Sequence, residues 1–389
     1  MHHDLIIVGG GMVGASLALA LRSSGLQIAL VEATLPRFED PRLFGLTENS
    51  CQFLRNLEIW QKLAEHATPI HRVHVSYKNH FGIVRLNRED VCLPQLGYVI
   101  SAYYIAMVLH EALKQQSNIT YYCPATLMML QQTDVVTLTL KTNEGDKILQ
   151  SPIVIAADGM TSIVREQLNI KTQVIDYQQS AIVTQTLLQR SHYHVAYERF
   201  NANGAIAMLP LINHRCATIW TADHATIAQL MTLPDESFVA SLQREFGYRL
   251  GRLLNVSQRH VFPIKMVQAQ ESIKQCVLLL GNAAHTLHPI AAQGFNLALY
   301  EVAALTKAIM DKIAHCQLFT SIDLQHVIQD TQKQRSFSVN TSHQLARLFK
   351  QRSLVLNMFL SLGMVGLDIL KPIKGMFINK ISMPYSQLR

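Results

Sequence analysis

Three stretches of this chain place glycines and short polar side chains where chemistry with a nucleotide could be done. In "DLIIVGGGMVGASLALALRSSG", Gly9, Gly11 and Gly14 separate two apolar runs, and Glu32 follows the next apolar run in "IALVEA". Glycines at this spacing meet three mechanical needs: a tight turn, close approach of backbone to a pyrophosphate, and close packing of a helix on a strand. A carboxylate near the end of the second strand would bind ribose hydroxyls, which favours a free ribose over a 2'-phosphate. FAD or NAD, rather than NADP, is therefore expected at this site, and spacing alone does not choose between the two. In "IVIAADGMTSIVREQL", Asp158 and Gly159 end an apolar run, with Ser162 and Arg165 just beyond. In "LLLGNAAHTLHPIAAQGFNLAL", Gly281, Asn282, Pro289, Gly294, Phe295 and Asn296 lie between two more.

Other combinations carry less chemistry. The pairs His285 with His288, His71 with His74 and His192 with His194 have no third ligand at a fitting spacing, so no metal site is expected. His285 reads as a packed loop histidine. His288, beside Pro289, reads equally as packed or as lining the side where a substrate would sit. Serine, histidine and aspartate occur without a GxSxG elbow, so hydrolase chemistry has no support. No side chain is singled out as a catalytic acid or base.

The elements that must carry these residues follow from the apolar patterning. Leu5–Val8 reads as a buried parallel strand, followed by a glycine turn and a helix with Leu17, Leu19 and Leu21 that stops at Gly25. Residues 153–157 and 278–280 read as further buried strands, the first leading into a helix at Ser162 and the second, through the histidine-rich strip, into one at Gly294. A helix start offers free N–H groups and a partial positive charge to phosphates or to a ring that gains negative charge. From Ser180 to about Phe262 the pattern changes to β-type segments, "AIVTQTLL", "HVAYERF", "AIAMLPL" and "CATIWTA", with one helix near "DESFVASLQREF".

Composition bounds the rest. The chain has 389 residues, of which 49% are apolar and 16% charged, enough for a large core and too greasy for disorder. The net charge is +7 and the pI about 9.1, but no nucleic-acid motif accompanies the excess. Six scattered cysteines without a CxxC pair argue against a zinc ribbon or a disulfide framework and for a reducing compartment. "MHHDLIIVGGG" lacks the features of a secretory signal, so a cytoplasmic location is expected.

In this order, across nearly the whole chain, the three stretches resemble the fingerprints of the flavin-dependent aromatic hydroxylases, the second of which has the form DGxxSxxR. Within that family the chain is similar to the ubiquinone-biosynthesis hydroxylases in "GNAAHTLHPIAAQGFNLAL", in "AYERFNANGAIAMLPL" and in "PRLFGLTENSCQFLRNLEIW". Asn282 stands where most relatives carry aspartate, and the branch resembling 2-octaprenyl-6-methoxyphenol hydroxylase has asparagine there. Ser101 and Ala102 stand where relatives often have Glu-Asn, so contacts there are not carried over.

The resemblance implies an α/β Rossmann-type FAD-binding domain made of residues 1–70, 96–178 and 263–345. It implies a second, α+β domain of 71–95 and 179–262, whose antiparallel sheet covers the flavin and carries the substrate, and a C-terminal helical segment, 346–389. It implies FAD held by Gly9, Gly11, Gly14, Glu32, Arg42, Asp158, Gly159, Arg165, Gly281, Asn282, Pro289, Gly294, Phe295 and Asn296. For Arg165 a helix-surface charge is the simpler alternative.

The activity implied is monooxygenation: NAD(P)H reduces the flavin, O2 is activated there, and one oxygen atom is transferred to the ring of a polyprenylated phenol on the way to ubiquinone. The alternatives are a hydroxylase or reductase for another aromatic or prenyl substrate, or a noncatalytic subunit that binds FAD and prenyl lipid among other ubiquinone-biosynthesis enzymes. From Leu345 onward seven Lys or Arg face one acid, Asp368. The apolar run between them is interrupted by Asn357, Ser361, Asp368 and Pro372, which argues against a transmembrane span. Either it packs as a core helix, or it forms a basic-flanked patch that rests peripherally on the inner membrane; the insolubility of the implied substrate favours the second.

Overall fold

The computed structural model describes residues 1–35, 40–289, 292–348 and 354–383. Short, wholly buried strands build its first sheet. Leu5–Val8, Ile28–Val31, Val154–Ala156 and Val277–Leu279 are buried at every position, as strands covered on both faces must be. They pair in parallel in the order Val277–Leu279, Val154–Ala156, Leu5–Val8, Ile28–Val31, Ile119–Tyr122, and Ile273–Lys274 adds a short antiparallel edge.

Side chains alternate across this sheet. Leu5, Ile7, Leu30, Ile155 and Leu278 face a core shared with Leu17, Leu109, Leu299 and Leu305 from the helices Met12–Ala20, Ala102–Leu113 and Gln293–Ala314. Ile6, Val8, Val31, Val154 and Val277 face the opposite way, onto Leu127, Leu138, Leu140 and Leu149. Those leucines come from a three-stranded antiparallel sheet spanning Ala125–Gln132, Val136–Thr142 and Gly145–Ser151.

A second, larger sheet has nine strands. Its main path runs His285–Thr286, His260–Ala269, Thr172–Leu188, Arg215–Asp223, Gly204–Leu211, Val195–Asn201, Arg72–Tyr77, Ile83–Asn87, and Leu253–Val256 also pairs with Thr172–Leu188. It is antiparallel except where Val195–Asn201 runs parallel to Arg72–Tyr77. It draws in more chain than the boundaries at 178–179 and 262–263 allow, because Thr172–Leu188 is one continuous strand of 17 residues and His260–Ala269 pairs along much of it.

The outer face of this sheet is covered by the helices His224–Thr232 and Asp235–Phe246, with Phe238, Leu242 and Phe246 against Ile182, Ile206, Met208 and Trp220. The inner face turns toward the nucleotide-type domain. There Ala196 and Val73 meet Ile70, Val99 and Leu43, while Tyr77, Phe200 and Ala205 meet Met364, Leu345 and Leu367. Leu345 belongs to the helix Ser321–Leu348, and Met364 and Leu367 to Leu354–Ile369, which is followed by Lys371–Ile381. A core-packed C-terminal helix is thus present, along with an apolar outer surface described below.

Candidate active site

The parallel sheet brings the three stretches together by pairing their strands side by side. Val8 pairs with Ala156, and Ala156 with Leu279, so the turns at Gly9, Asp158 and Gly281 leave the same edge of adjacent strands. Open parallel sheets bind ligands outside the carboxyl ends of their strands. Packing is close at both Gly9 and Gly14. Gly9 has φ +105°, and a Cβ there would overlap the Ala157 carbonyl; one at Gly14 would overlap the Gly9 carbonyl. Gly11 has nothing within 4 Å of its Cβ position, so backbone faces open space where a pyrophosphate could approach. The Glu32 carboxylate accepts from the Gly10 N–H at 2.8 Å, from the Thr34 N–H at 3.1 Å and from the Thr34 hydroxyl at 3.3 Å. A carboxylate has about four lone-pair sites, so acceptor capacity is left for ribose hydroxyls.

In the second stretch Asp158 accepts from the Val164 N–H through Oδ2 at 3.1 Å, while its buried Oδ1 has no partner among the described residues. Burial pushes its carboxyl above the usual range against the hydrogen bonds from Ser162 and Val164. Ser162 caps the helix Ile163–Gln167, its hydroxyl accepting from the Arg165 N–H. Arg165 is no free surface charge: it donates to the carbonyls of Met160 and Ala283, each at 2.7 Å, and so clamps the second turn onto the third.

The third stretch carries the chain from one sheet to the other. Val277–Leu279 lies in the parallel sheet, Gly281–Ala283 forms a single 3-10 turn, and Thr286 already pairs with Val267 of the large sheet. Gly281 is buried with φ +58°, its Cβ position 3.3 Å from Val13. Asn282 and Pro289 are exposed, and Asn282 makes no hydrogen bond among the described residues.

The helix Gln293–Ala314 follows. Ala292 is its N-cap in a left-handed conformation, φ +49°, and no side chain caps the first turn. Gln293 is buried, and among the described residues neither of its amide atoms is hydrogen-bonded. Gly294 is partly exposed. Asn296 lies in the first turn of the helix, as expected, with its side chain engaged: it accepts from the Thr47 N–H at 2.9 Å and donates to the carbonyls of Gly45 and Ala292 at 2.8 and 2.7 Å. Any part in holding a cofactor falls to its backbone. This staple fixes the strand Leu43–Thr47 to the helix start, where Phe44 packs on Phe295 with ring centroids 5.1 Å apart and Arg42 lies over Phe44. Arg42 itself is folded onto Asp40.

His285 is buried and bonds Glu301 at 2.9 Å; Arg335 bonds the same oxygen at 2.8 and 2.7 Å. Burial would raise the Glu301 carboxyl, but the Arg335 charge and His285 outweigh it and hold it well below the carboxylate range. The histidine is therefore structural. His288 is buried edge-on to Tyr177, whose hydroxyl meets His343 Nδ1 at 2.9 Å. Burial, then the His343 charge, pull His288 down to about 4, so it is neutral at physiological pH.

Unpartnered buried polar atoms are uncommon. Asp158 Oδ1 and the Gln293 amide stand on two of the converging turns, beside open backbone at Gly11 and an uncapped helix start. This donor and acceptor set fits a dinucleotide with ribose, pyrophosphate and a ring carrying amide-like edges. Gln293 was not legible from the sequence, since its burial depends on the strip that precedes it.

The chain is similar to "Ubiquinone hydroxylase UbiM" of Neisseria meningitidis, with 31% identity over 80% of this chain and 69% of that protein. It is similar to "Ubiquinone hydroxylase UbiL" of Rhodospirillum rubrum, with 30% identity over 79% and 72%. Its fold matches p-nitrophenol 4-monooxygenase PnpA from Pseudomonas putida at a TM-score of 0.81, with 16% identity, covering 100% of this chain and 98% of that one. The family model described as "FAD binding domain" matches residues 2–315, and the chain belongs to that family.

Proposed function

We propose that this chain is an FAD-dependent monooxygenase that hydroxylates the ring of a polyprenylated phenol in ubiquinone biosynthesis, using NAD(P)H and O2. The observation that carries this reading is the meeting of three turns at the ends of adjacent parallel strands, beside the apolar inner face of a second sheet. Bound FAD supplies the redox chemistry: it takes a hydride from a nicotinamide and delivers one oxygen atom of O2 to an electron-rich ring.

The chain's own residues bind, orient and exclude water. Glu32 and the backbone from Gly9 to Gly11 would hold the ribose and pyrophosphate, Asp158 Oδ1 and Asn282 hydroxyls of the chain between phosphate and ring, and the uncapped start of Gln293–Ala314 the ring edge. A helix N-terminus there stabilises negative charge that develops on a reduced ring.

The proposal extends to the source of the substrate. Among the described residues no helix is long and apolar enough to cross a membrane. The two C-terminal helices nevertheless expose Leu362, Ile369, Leu370, Ile373 and Met376, with Phe81 exposed on a nearby turn, a surface suited to lie on a membrane. Lys374 does not join its basic flank, because it is buried between Asp90 and Asp368. Lys350, Arg352 and Arg389 lie outside the described residues.

The test is purified protein with a short-tailed prenylphenol. Bound flavin, substrate-dependent NAD(P)H oxidation and a product heavier by one oxygen support the reading. Flavin that no nicotinamide reduces supports a noncatalytic FAD-binding subunit instead.

A further inference from the structure

Across the inner face of the large sheet runs one transverse row of side chains. Strand pairing places Val183 beside Ile219, Ile219 beside Ala207, Ala207 beside Glu198, Glu198 beside Val75, and Val75 beside Val84. Directly paired residues point to the same side of a sheet, so these six strands contribute five apolar side chains and one carboxyl, and the row ends on a seventh strand at His260, paired with Val183. Among the described residues Glu198 has no hydrogen bond and no ion pair. Burial raises its carboxyl and is the sole influence on it, while the residue itself is half-buried and keeps some accessible surface. That surface lies on the inner face of the sheet, among the apolar side chains of the row.

The neighbours of that row define its surroundings. On one side Ala196 and Val73 pack on Leu43, Ile70 and Val99. Gly45, on the same side of its strand as Leu43, lies with its Cβ position 3.3 Å from Ala292 at the helix start. On the other side Phe200 and Tyr77 pack under Met364 and Leu367. Glu198 therefore stands on the inner face of the sheet, between the residues packed on the strand Leu43–Thr47 and those packed under the C-terminal helices. A lone buried carboxyl costs folding stability, and costs of this kind collect at functional sites.

We infer that Glu198 is a catalytic residue, the general base that receives the phenolic proton of the substrate ring; this rests on the monooxygenase reading above. As a hydroxyl derived from O2 forms a C–O bond at a carbon ortho or para to the phenol oxygen, the phenol O–H breaks. Its proton goes to the Glu198 carboxylate, and that oxygen becomes a carbonyl. Loss of the proton from the hydroxylated carbon and return of the Glu198 proton to the carbonyl oxygen restore the ring as a dihydroxy product. The second oxygen atom leaves as water, with both electrons drawn from the nicotinamide hydride. Burial pushes Glu198 up to about 7, where a base is poised for transfer at neutral pH.

Among the described residues no charged group shifts the Glu198 carboxyl, and the titratable His260 stands at the far end of its row, four strands away. In the adjacent rows of its own sheet stand Tyr77, raised by burial, and the neutral Gln185 and Thr221, while His74 and Arg199 point to the opposite face. The nucleotide-domain side presents Leu43, Ile70 and Val99, and the C-terminal helices Met364 and Leu367.

The experiment compares flavin-loaded wild type with Glu198→Gln and Glu198→Leu, using a short-tailed prenylphenol and NADH or NADPH. The Gln variant should keep its flavin and be reduced normally, but form product about 100-fold more slowly, with the electrons appearing as hydrogen peroxide. The wild-type rate should fall below about pH 7, and the residual Gln rate should be flat there.

The Leu variant, which completes the apolar row, should melt higher than wild type at pH 8. A raised acid stabilises fully below its unfolded value near 4.5 and loses that stability as pH rises through about 7. Wild-type product rate and pH profile in the Gln variant, or a lower melting point for the Leu variant, would overturn the inference while leaving the monooxygenase reading intact. A wild type that holds flavin yet hydroxylates no phenol would remove both.

Discussion

At the scale of single residues, geometry ranks the contributions to the flavin site. Glu32 holds its place with three hydrogen bonds before any ligand arrives, so Glu32→Ala removes both the ribose acceptor and the order of the Gly10 turn. Hydrogen bonds to charged groups are worth about 1.5–3 kcal/mol, and FAD affinity in a flavin titration should drop by a factor of roughly 10 to 100. Ala292 presents the opposite case. Its left-handed backbone, φ +49°, costs a residue with a Cβ about 1–2 kcal/mol, so Ala292→Gly should stabilise the protein by about 1 kcal/mol in denaturant unfolding. The glycines and Glu32 were legible because a turn at fixed spacing announces itself locally. The role of Asn296 was not, since its partners at Gly45 and Thr47 come from a strand near the other end of the chain.

At the scale of elements, two polar clamps hold the site's parts in register. Arg165 ties the second turn to the third. The buried His285, Glu301 and Arg335 tie the strand His285–Thr286 to the helices Gln293–Ala314 and Ser321–Leu348. Removing one partner of a buried ion pair leaves the other charge uncompensated and costs about 3–5 kcal/mol, and Glu301→Gln, which strands Arg335, should lower stability by that order in chemical denaturation. Because the Glu301 carboxyl is depressed in the folded state, its stabilisation is present above the ordinary carboxylate range. That stabilisation is lost as pH falls through the folded value, so the gap between wild type and variant should narrow in acid.

The parallel strands were readable as short apolar runs. The antiparallel sheet over Ala125–Ser151 escaped notice, because its strands expose Met128, Met129 and Ile148 and blur the alternation that marks a half-buried sheet. The Glu198 row was hidden for a related reason. "HVAYERF" shows a carboxylate in a strand, and only cross-strand pairing shows that its five nearest row neighbours are apolar.

At the scale of the whole molecule, two sheets face each other and the strip Gly281–Thr286 passes between them, while the C-terminal helices close the remaining side. Those helices are fastened by Asp368, which accepts from the Arg85 N–H at 2.7 Å and from its guanidinium at 2.6 and 3.1 Å, and which also meets Lys374 at 3.5 Å. Asp368→Ala should release them: proteolysis within 354–383 should speed up about tenfold or more, with melting of the flavin domain little changed.

The overall arrangement was legible in outline, since three fingerprints in order imply one fold. The fastening was not, because the sequence shows Asp368 and Lys374 only as members of a basic tail. All three scales serve one claim, that this chain binds FAD and uses it to place oxygen on a phenol. The most direct measurement is one turnover series under isotope-labelled O2 with NAD(P)H and a prenylphenol, read by mass spectrometry. The account predicts one labelled oxygen atom in the product; flavin-loaded protein that yields no labelled product would contradict it.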